Sequence, residues 1–540
     1  MGTSDRLDHW VIRNFKEATV SFLSNKYNLM FVSVLLFALV IRLRFFFIES
    51  LWNDETFYIW YAVRSLNEPL YLLSERVITH SYYSFMSLIM FFKLFVNDAL
   101  LAGRLAALVV NLFGIVLIYL LGSEFKDKAT GLAAAILLSV HHIYWFIGGK
   151  VLVDAPLATA FIFVAYALIK FEKEKDYFWA AILGFSIAIC VNTKLPGAIV
   201  FVILGTYFFL SYIVTKDPVN SVRKLLQRKD FWAFIVSTSI FLTPTATFNL
   251  LKFGSIVANK RGASGYALSL ATEWAPTYGA GYMQSLYNLP MMLTLYVVPF
   301  VFLGVLFCLV YRDKKHWLIL SFASYYVIYT ILTGGAETPR YFLPAFPFML
   351  LLAAYALFEL RLYMQSILKI KLNRFIFIFI VLLLAVPLYQ QGLQLHTSKQ
   401  YSYTGYQEAG AWISENVPED GFVFAGSPGF IRLFSGYEFI PGIFGSEGSA
   451  EGILYYGFPV DRASFEEIVR EESKTQDIYL EVDIWEYKNQ QWVYPLDQEK
   501  IDYFYSLGFE VVNVIERDVA TSSEMQKVPV ILMLKLESTS

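Results

Sequence analysis

Residues 29–60 read LMFVSVLLFALVIRLRFFFIESLWNDETFYIW: an apolar run over 29–48, then the adjacent acids Asp54 and Glu55 among aromatic side chains. A hydrocarbon core about 30 Å thick needs roughly 20 predominantly apolar residues in a helix. The first part of this stretch therefore crosses a membrane, and the two acids fall just beyond its exit. Simple solvation of a helix exit explains acids there, with Trp52 and Trp60 as interfacial anchors. So does chemistry, and the rest of the chain has to decide between them.

The 540 residues are 57% hydrophobic and only 16% charged, where soluble domains carry about 25%. Runs long and apolar enough to span lie near 29–48, 99–121, 129–147, 152–170, 177–192, 195–215, 231–251, 289–311, 317–333, 341–360 and 374–391. The composition thus predicts a polytopic α-helical membrane protein of about eleven transmembrane helices. Ser81–Val96 is shorter, holds Lys93 and follows Glu75, Arg76 and His80, so it reads as a helix lying in the interface; counted as a span it would make a twelfth. A net charge of −2 argues against a nucleic-acid partner. Cys190 and Cys308 lie inside apolar runs and read as small buried residues rather than a disulfide. Met1–Lys26 is polar with mixed charge, so the first span is expected to be an uncleaved anchor.

Lys and Arg collect on the cytoplasmic side of membrane proteins. With the N-terminal segment 1–28 inside, the inner segments hold 21 basic residues and the outer loops before residue 392 hold 9. That fit places the outer loop 49–98, the short loops 148–151, 192–194 and 334–340, and the C-terminal part on the extracytoplasmic side of a plasma membrane. The membrane domain is expected over 29–391. From 392 to 540 the composition turns soluble: GFVFAG, DIYLEVDI, FEVVNVIE and VPVILMLKL read as strands, with YQEAGAWISENVPEDG, SFEEIVREES and DQEKIDYFYSLGF as helices among them. The pattern predicts a small extracytoplasmic α/β domain. No internal repeat is visible.

The residues able to carry chemistry are few. Asp154 in GGKVLVDAPLATAF lies just inside an apolar run, where an ionisable group is costly. Followed by Ala-Pro, it also suits an N-cap. Lys150, Lys194 and Arg340 each sit in a very short outer loop against a span. They either snorkel to the interface or capture an anion, Arg as a bidentate fork and Lys as a point charge. His142, next to His141, and His80 and Arg261 in the long loops are further candidates for acceptor or loop contacts. No cluster has metal-ligand spacing, and no phosphate-binding Gly-rich loop, HExxH or GxSxG motif occurs. Acids and cations scattered along the sequence thus converge by topology on one outer surface, which suits a reaction on a lipid-linked phosphate.

WNDETFY, GGKVLVDAPLATAFIFVAYAL and PRYFLPAFPFMLLLAAYAL occur in the order in which similar segments occur in membrane glycosyltransferases of the GT-C fold. The chain resembles the protein O-mannosyltransferase and aminoarabinose-transferase group, family 39, in its prokaryotic form, over residues 29–391. The resemblance implies a polyprenyl- or dolichyl-phosphate sugar donor and a protein, lipid or glycan acceptor. It implies Asp54 as general base, Glu55 as its acidic neighbour, and Asp154 as the acid that orients the acceptor or a metal. Lys194 and Arg340 would hold the donor phosphate. No certain cofactor follows, and a divalent metal stays open. The absence of a WWDYG-like motif speaks against an oligosaccharyltransferase. Transfer by in-line displacement would invert the anomeric centre. A transporter or flippase of a lipid-linked substrate is the competing class, although such proteins often carry paired broken segments in an internal repeat. A polymerase or ligase of surface polysaccharide is a third.

Overall fold

The structure is a computed structural model that describes residues 24–48, 50–73, 83–214, 217–254, 282–333, 339–369, 374–418, 421–435, 454–459, 461–485, 492–520 and 525–539. It forms two compact units: Met1–Phe46 with Glu68–Leu393, and Phe47–Asn67 with Gln394–Ser540. The loop expected over 49–98 is therefore divided, and the segment bearing Asp54 and Glu55 belongs to the second unit.

The first unit is helical: α1 (Lys26–Leu43), α3 (Tyr83–Lys93), α4 (Ala99–Phe125), α5 (Lys128–Val140), α6 (His142–Gly148), α7 (Asp154–Glu174), α8 (Tyr177–Val191), α9 (Ile199–Phe208), α10 (Pro218–Leu226), α11 (Lys229–Phe253), α12 (Tyr282–Leu293), α13 (Val298–Tyr311), α14 (Lys314–Ala323), α15 (Tyr325–Thr333), α16 (Phe346–Leu368) and α17 (Arg374–Lys399), the last as far as Leu393; α2 (Asn53–Asn67) belongs to the second. Asp residues in the polar joints start several of these helices. Asp98, Asp127, Asp176 and Asp313 each accept a hydrogen bond from an amide three residues on, satisfying a donor that the helix cannot. Lys175, Arg312 and Lys369 end helices in the left-handed region, where their charge meets the negative end of the dipole.

All eleven predicted runs contain helix, but fewer are single spans. Seven described segments are long and apolar enough: Lys26–Leu43, Ala99–Phe125, Asp154–Glu174, Leu195–Ile213, Lys229–Leu251, Phe346–Ile367 and Phe375–Lys399. Two bent pairs raise the number to nine. Lys128–Val140 turns into His142–Gly148 through 62°, and Tyr287–Leu293 into Val298–Tyr311 through 103°. The runs near 177–192 and 317–333 fall short, the first as a 15-residue helix and the second as two short helices meeting at Ser324. Fifteen residues rise only about 22 Å, less than a hydrocarbon core. Within Ser81–Val96, helix α3 is fastened to the end of α8, its Ser84 amide donating to the Asn192 carbonyl at 3.0 Å. The last apolar helix runs on to Lys399, eight residues past the expected boundary.

The segments read as inner are tied together. Glu172 accepts from Arg228, Lys314 and the Tyr212 hydroxyl, and Arg228 also pairs with Asp230 at 2.6 Å. Glu124 pairs with Lys170 and Lys173, and Lys126 with Glu359. Burial opposes the charge of Arg228, yet Asp230 and Glu172 outweigh it and raise its pKa. Burial prevails at Lys314, whose pKa is lowered despite Glu172. Glu172 and Asp154 stand near opposite ends of α7, about 27 Å apart along its axis.

The second unit is built on a five-stranded sheet of β1 (Phe422–Ala425), β2 (Leu454–Gly457), β3 (Ile478–Asp483), β4 (Glu510–Ala520) and β5 (Met525–Leu536) in the order β2-β1-β3-β5-β4. The β1 pairings are parallel, whereas β3–β5 and β5–β4 are antiparallel. Helices α18 (Tyr406–Asn416), α19 (Pro428–Ser435), α20 (Arg462–Glu472) and α21 (Gln498–Ser506) complete it. Every residue of β1 and β3 is buried, and Phe424, Phe458, Phe465, Leu480, Phe504 and Leu534 share one apolar core.

Candidate active site

Asp154 is the first residue of α7 rather than its cap. Val153 takes the cap position and makes no side-chain cap bond. The carboxylate is turned instead to Lys194, whose Nζ lies 2.7 Å from Oδ1; the Asp154 side chain is 4% exposed and that of Lys194 17%. Lys194 reaches it from a tight turn between α8 and the 3-10 turn Leu195–Ala198. The Gly197 amide donates to the Lys194 carbonyl at 2.7 Å, and a Cβ at Gly197 would stand 2.0 Å from the Cys190 carbonyl oxygen. Only glycine fits that turn.

Arg340 lies in the 3-10 turn Pro339–Phe342. Phe342 and Leu343 are buried, which leaves Arg340 and Tyr341 partly exposed at the rim. The Tyr341 ring lies near two cations: Lys194 Nζ is 4.6 Å from its centroid and the Arg340 guanidinium carbon 5.2 Å. Behind it Tyr329 stacks at 6.2 Å, Tyr325 stacks on Tyr329, and Phe161 of α7 meets Tyr325 edge-on. The sequence reading passed over Tyr341 and this column. Its signal, SYYVIYT followed by PRYF, looks like any aromatic-rich span. Asp154, Lys194 and Arg340 together carry one net positive charge, a setting that favours an anion.

Lys150 is buried just past α6, its Nζ 5.9 Å from the Phe146 ring centroid. Below it a polar network fastens α6. Arg42 donates to Asn111 Oδ1 at 2.5 Å and to the Ser139 carbonyl, Asn111 donates to the Tyr144 carbonyl, and the Tyr144 hydroxyl donates back to the Asn111 carbonyl. His141 makes the bend between α5 and α6, its Nδ1 accepting from the Tyr144 amide, and His142 stacks on it with ring centroids 5.0 Å apart. His80 and Arg261 lie outside the described residues. Among the described residues no group of three His, Cys, Asp or Glu side chains could hold a metal ion, and Asp154 is engaged by Lys194.

In the second unit Asp54 and Glu55 occupy the first turn of α2, where the helix dipole favours negative charge. Their environments differ. Glu55 is fully buried, and its Oε1 accepts from the Trp52 amide at 2.8 Å while its own amide donates to the Trp52 carbonyl. This is the backward-reaching half of a capping box. Asp54 is half-buried. One acid shapes the start of the helix, and its neighbour keeps access to solvent.

Residues 80–249 match the family model described as dolichyl-phosphate-mannose-protein mannosyltransferase. No curated protein matches the sequence significantly. Among solved structures, ArnT from Cupriavidus metallidurans bound to undecaprenyl phosphate is similar at 13% identity and TM-score 0.56, over 94% of this chain and 97% of that one. The Archaeoglobus fulgidus oligosaccharyltransferase in complex with zinc and sulfate is similar at 13% identity and TM-score 0.56, over 85% and 70%. The same archaeal enzyme, AglB, in complex with an inhibitory peptide and a dolichol-phosphate gives 14% identity and TM-score 0.54, over 84% and 69%. At such identities the likeness is one of fold. The chain thus shares the fold of these membrane proteins, and its residues 80–249 resemble the dolichyl-phosphate-mannose-protein mannosyltransferase family.

Proposed function

We propose that this protein transfers a sugar from a polyprenyl- or dolichyl-phosphate donor to an acceptor hydroxyl at the extracytoplasmic face of the cell membrane. The observation that carries the reading is the Asp154–Lys194 pair beside Tyr341 and Arg340, a net positive setting at the ends of apolar helices. Related folds bound to undecaprenyl phosphate and to dolichol-phosphate support a donor of that class. Lys194, Arg340 and Lys150 neutralise the donor phosphate, so that it leaves without a general acid. Asp154 holds the Lys194 ammonium in place. Asp54 takes the proton of the acceptor hydroxyl, a contribution typically of 10²–10⁴-fold. The acceptor oxygen bonds to the anomeric carbon as the carbon–oxygen bond to phosphate breaks, and polyprenyl phosphate departs with the electron pair. Displacement from the opposite face inverts the anomeric centre. Glu55 supports the turn that presents Asp54.

The test is a release assay with purified protein in lipid and a polyprenyl-phosphate sugar labelled in the sugar. Acceptor-dependent formation of free polyprenyl phosphate and a labelled glycoside of inverted configuration is expected. Movement of intact donor between leaflets with no release identifies a flippase instead and overturns the reading.

A further inference from the structure

The helix that carries the two acids is held by the unit built on the sheet. Helix α2 packs against α19, and the buried Arg432 of α19 sets its guanidinium carbon 5.2 Å from the centroid of the Trp60 ring. An Arg over an indole face is the strongest form of that contact, and its planar group is not replaced equivalently by Lys. Helix α19 is itself fixed. It leaves β1 at Ser427, whose amide donates to Glu481 on β3 and whose hydroxyl accepts from Tyr406. Phe430 stacks on Tyr406 at 4.3 Å with the rings nearly parallel. Gly410 of α18 lies so close that an added Cβ would stand 2.5 Å from the Phe434 Cβ.

From this chain of contacts we infer that Arg432 is a positioning residue for Asp54: clamped onto Trp60, it sets the tilt of α2 and so the aim of the carboxylate. The inference rests on the base role proposed above. Trp60 stands six residues from Asp54, about 9 Å along the helix. A tilt of about 6° about Trp60 therefore moves Asp54 by about 1 Å, a displacement that costs a reacting pair on the order of 10²-fold. The soluble unit then acts as the frame that holds the acid.

The experiment measures kcat and KM for the labelled polyprenyl-phosphate sugar with the full chain in lipid, comparing wild type, Arg432→Ala, Arg432→Lys and Asp54→Asn. Arg432→Ala is expected to lower kcat about 10- to 100-fold with the donor KM within about threefold, and Arg432→Lys to restore only part of the loss. The pH profile of the residual activity should keep its wild-type shape, because the base is unchanged. If Arg432→Ala does not fold, Arg432→Gln carries the same comparison. Wild-type kcat in the uncharged variant, or an equal rise in KM that accounts for the loss, overturns the positioning role. Wild-type turnover in Asp54→Asn overturns the base assignment itself, and the positioning role falls with it.

Discussion

Replacing Lys194 by Met removes the cation that faces Asp154 while keeping most of the apolar volume of the side chain. The two groups meet at 2.7 Å, with Asp154 4% and Lys194 17% exposed. Removing one partner of a buried pair costs about 3–5 kcal/mol, because the remaining charge has neither water nor a counter-ion. The residual exposure of Lys194 points to the lower end, about 3 kcal/mol, or more than a hundredfold in the folded-to-unfolded ratio. Asp154→Asn combined with Lys194→Met removes both charges and recovers most of that loss. Unfolding midpoints in detergent for wild type, both single variants and the double variant close a mutant cycle. Donor binding by the same proteins separates the roles. Lys194→Met weakens affinity for the lipid phosphate about 10- to 100-fold, the scale of one charge-assisted contact. Asp154→Asn keeps the Lys194 charge but not its anchor, and weakens donor binding less than Lys194→Met does. Additive effects on stability within about 0.5 kcal/mol, or weaker donor binding in Asp154→Asn than in Lys194→Met, refute this view of the pair.

Two further outcomes follow from the second unit. Glu55→Gln keeps an acceptor for the Trp52 amide and should unfold near the wild-type midpoint, whereas Glu55→Ala loses the cap at a cost of about 1 kcal/mol; equal midpoints would deny the cap. At the C-terminal edge, burial works against the Asp477 carboxylate, but the Ser538 amide and Lys535 prevail and lower its pKa, while the hydrogen bond to Asp477 raises that of Lys535. A carboxylate lowered on folding stabilises above its unfolded value of about 3.9 and loses that contribution as pH falls through its folded value; the raised lysine stabilises below about 10.4 and loses it as pH rises. Unfolding of the full chain followed from pH 3 to 7 should show an acid loss that Lys535→Met diminishes, and an unchanged acid limb in that variant contradicts the assignment.

Seven to nine of the eleven expected spans and most of the sheet were legible because apolar runs of about twenty residues and alternating β-branched strands are local signals. GFVFAG, DIYLEVDI, FEVVNVIE and VPVILMLKL are all strands. The strand Leu454–Gly457 and the helix Pro428–Ser435 were not anticipated. The strand has four residues and gains its stability by pairing with β1, and the helix opens on Pro-Gly, which alone reads as a turn. The bend at His141 was hidden because the run is apolar throughout, and only the cap formed by the His141 ring marks it. Asp154 carried two compatible roles in sequence, cap or charge partner. The choice depended on Lys194, forty positions away. That α2 belongs with the sheet-bearing unit, where its Trp60 meets Arg432, left no local trace because the two segments are far apart in the chain.

The most direct test of the central claim is sugar transfer by Asp54→Asn, measured beside its binding of the polyprenyl-phosphate donor. The substitution keeps the shape of the side chain and removes its basicity. The expected result is a loss of transfer of at least about 10²-fold with donor affinity and unfolding midpoint close to wild type. Transfer at the wild-type rate by a folded, donor-binding Asp54→Asn protein would contradict the account.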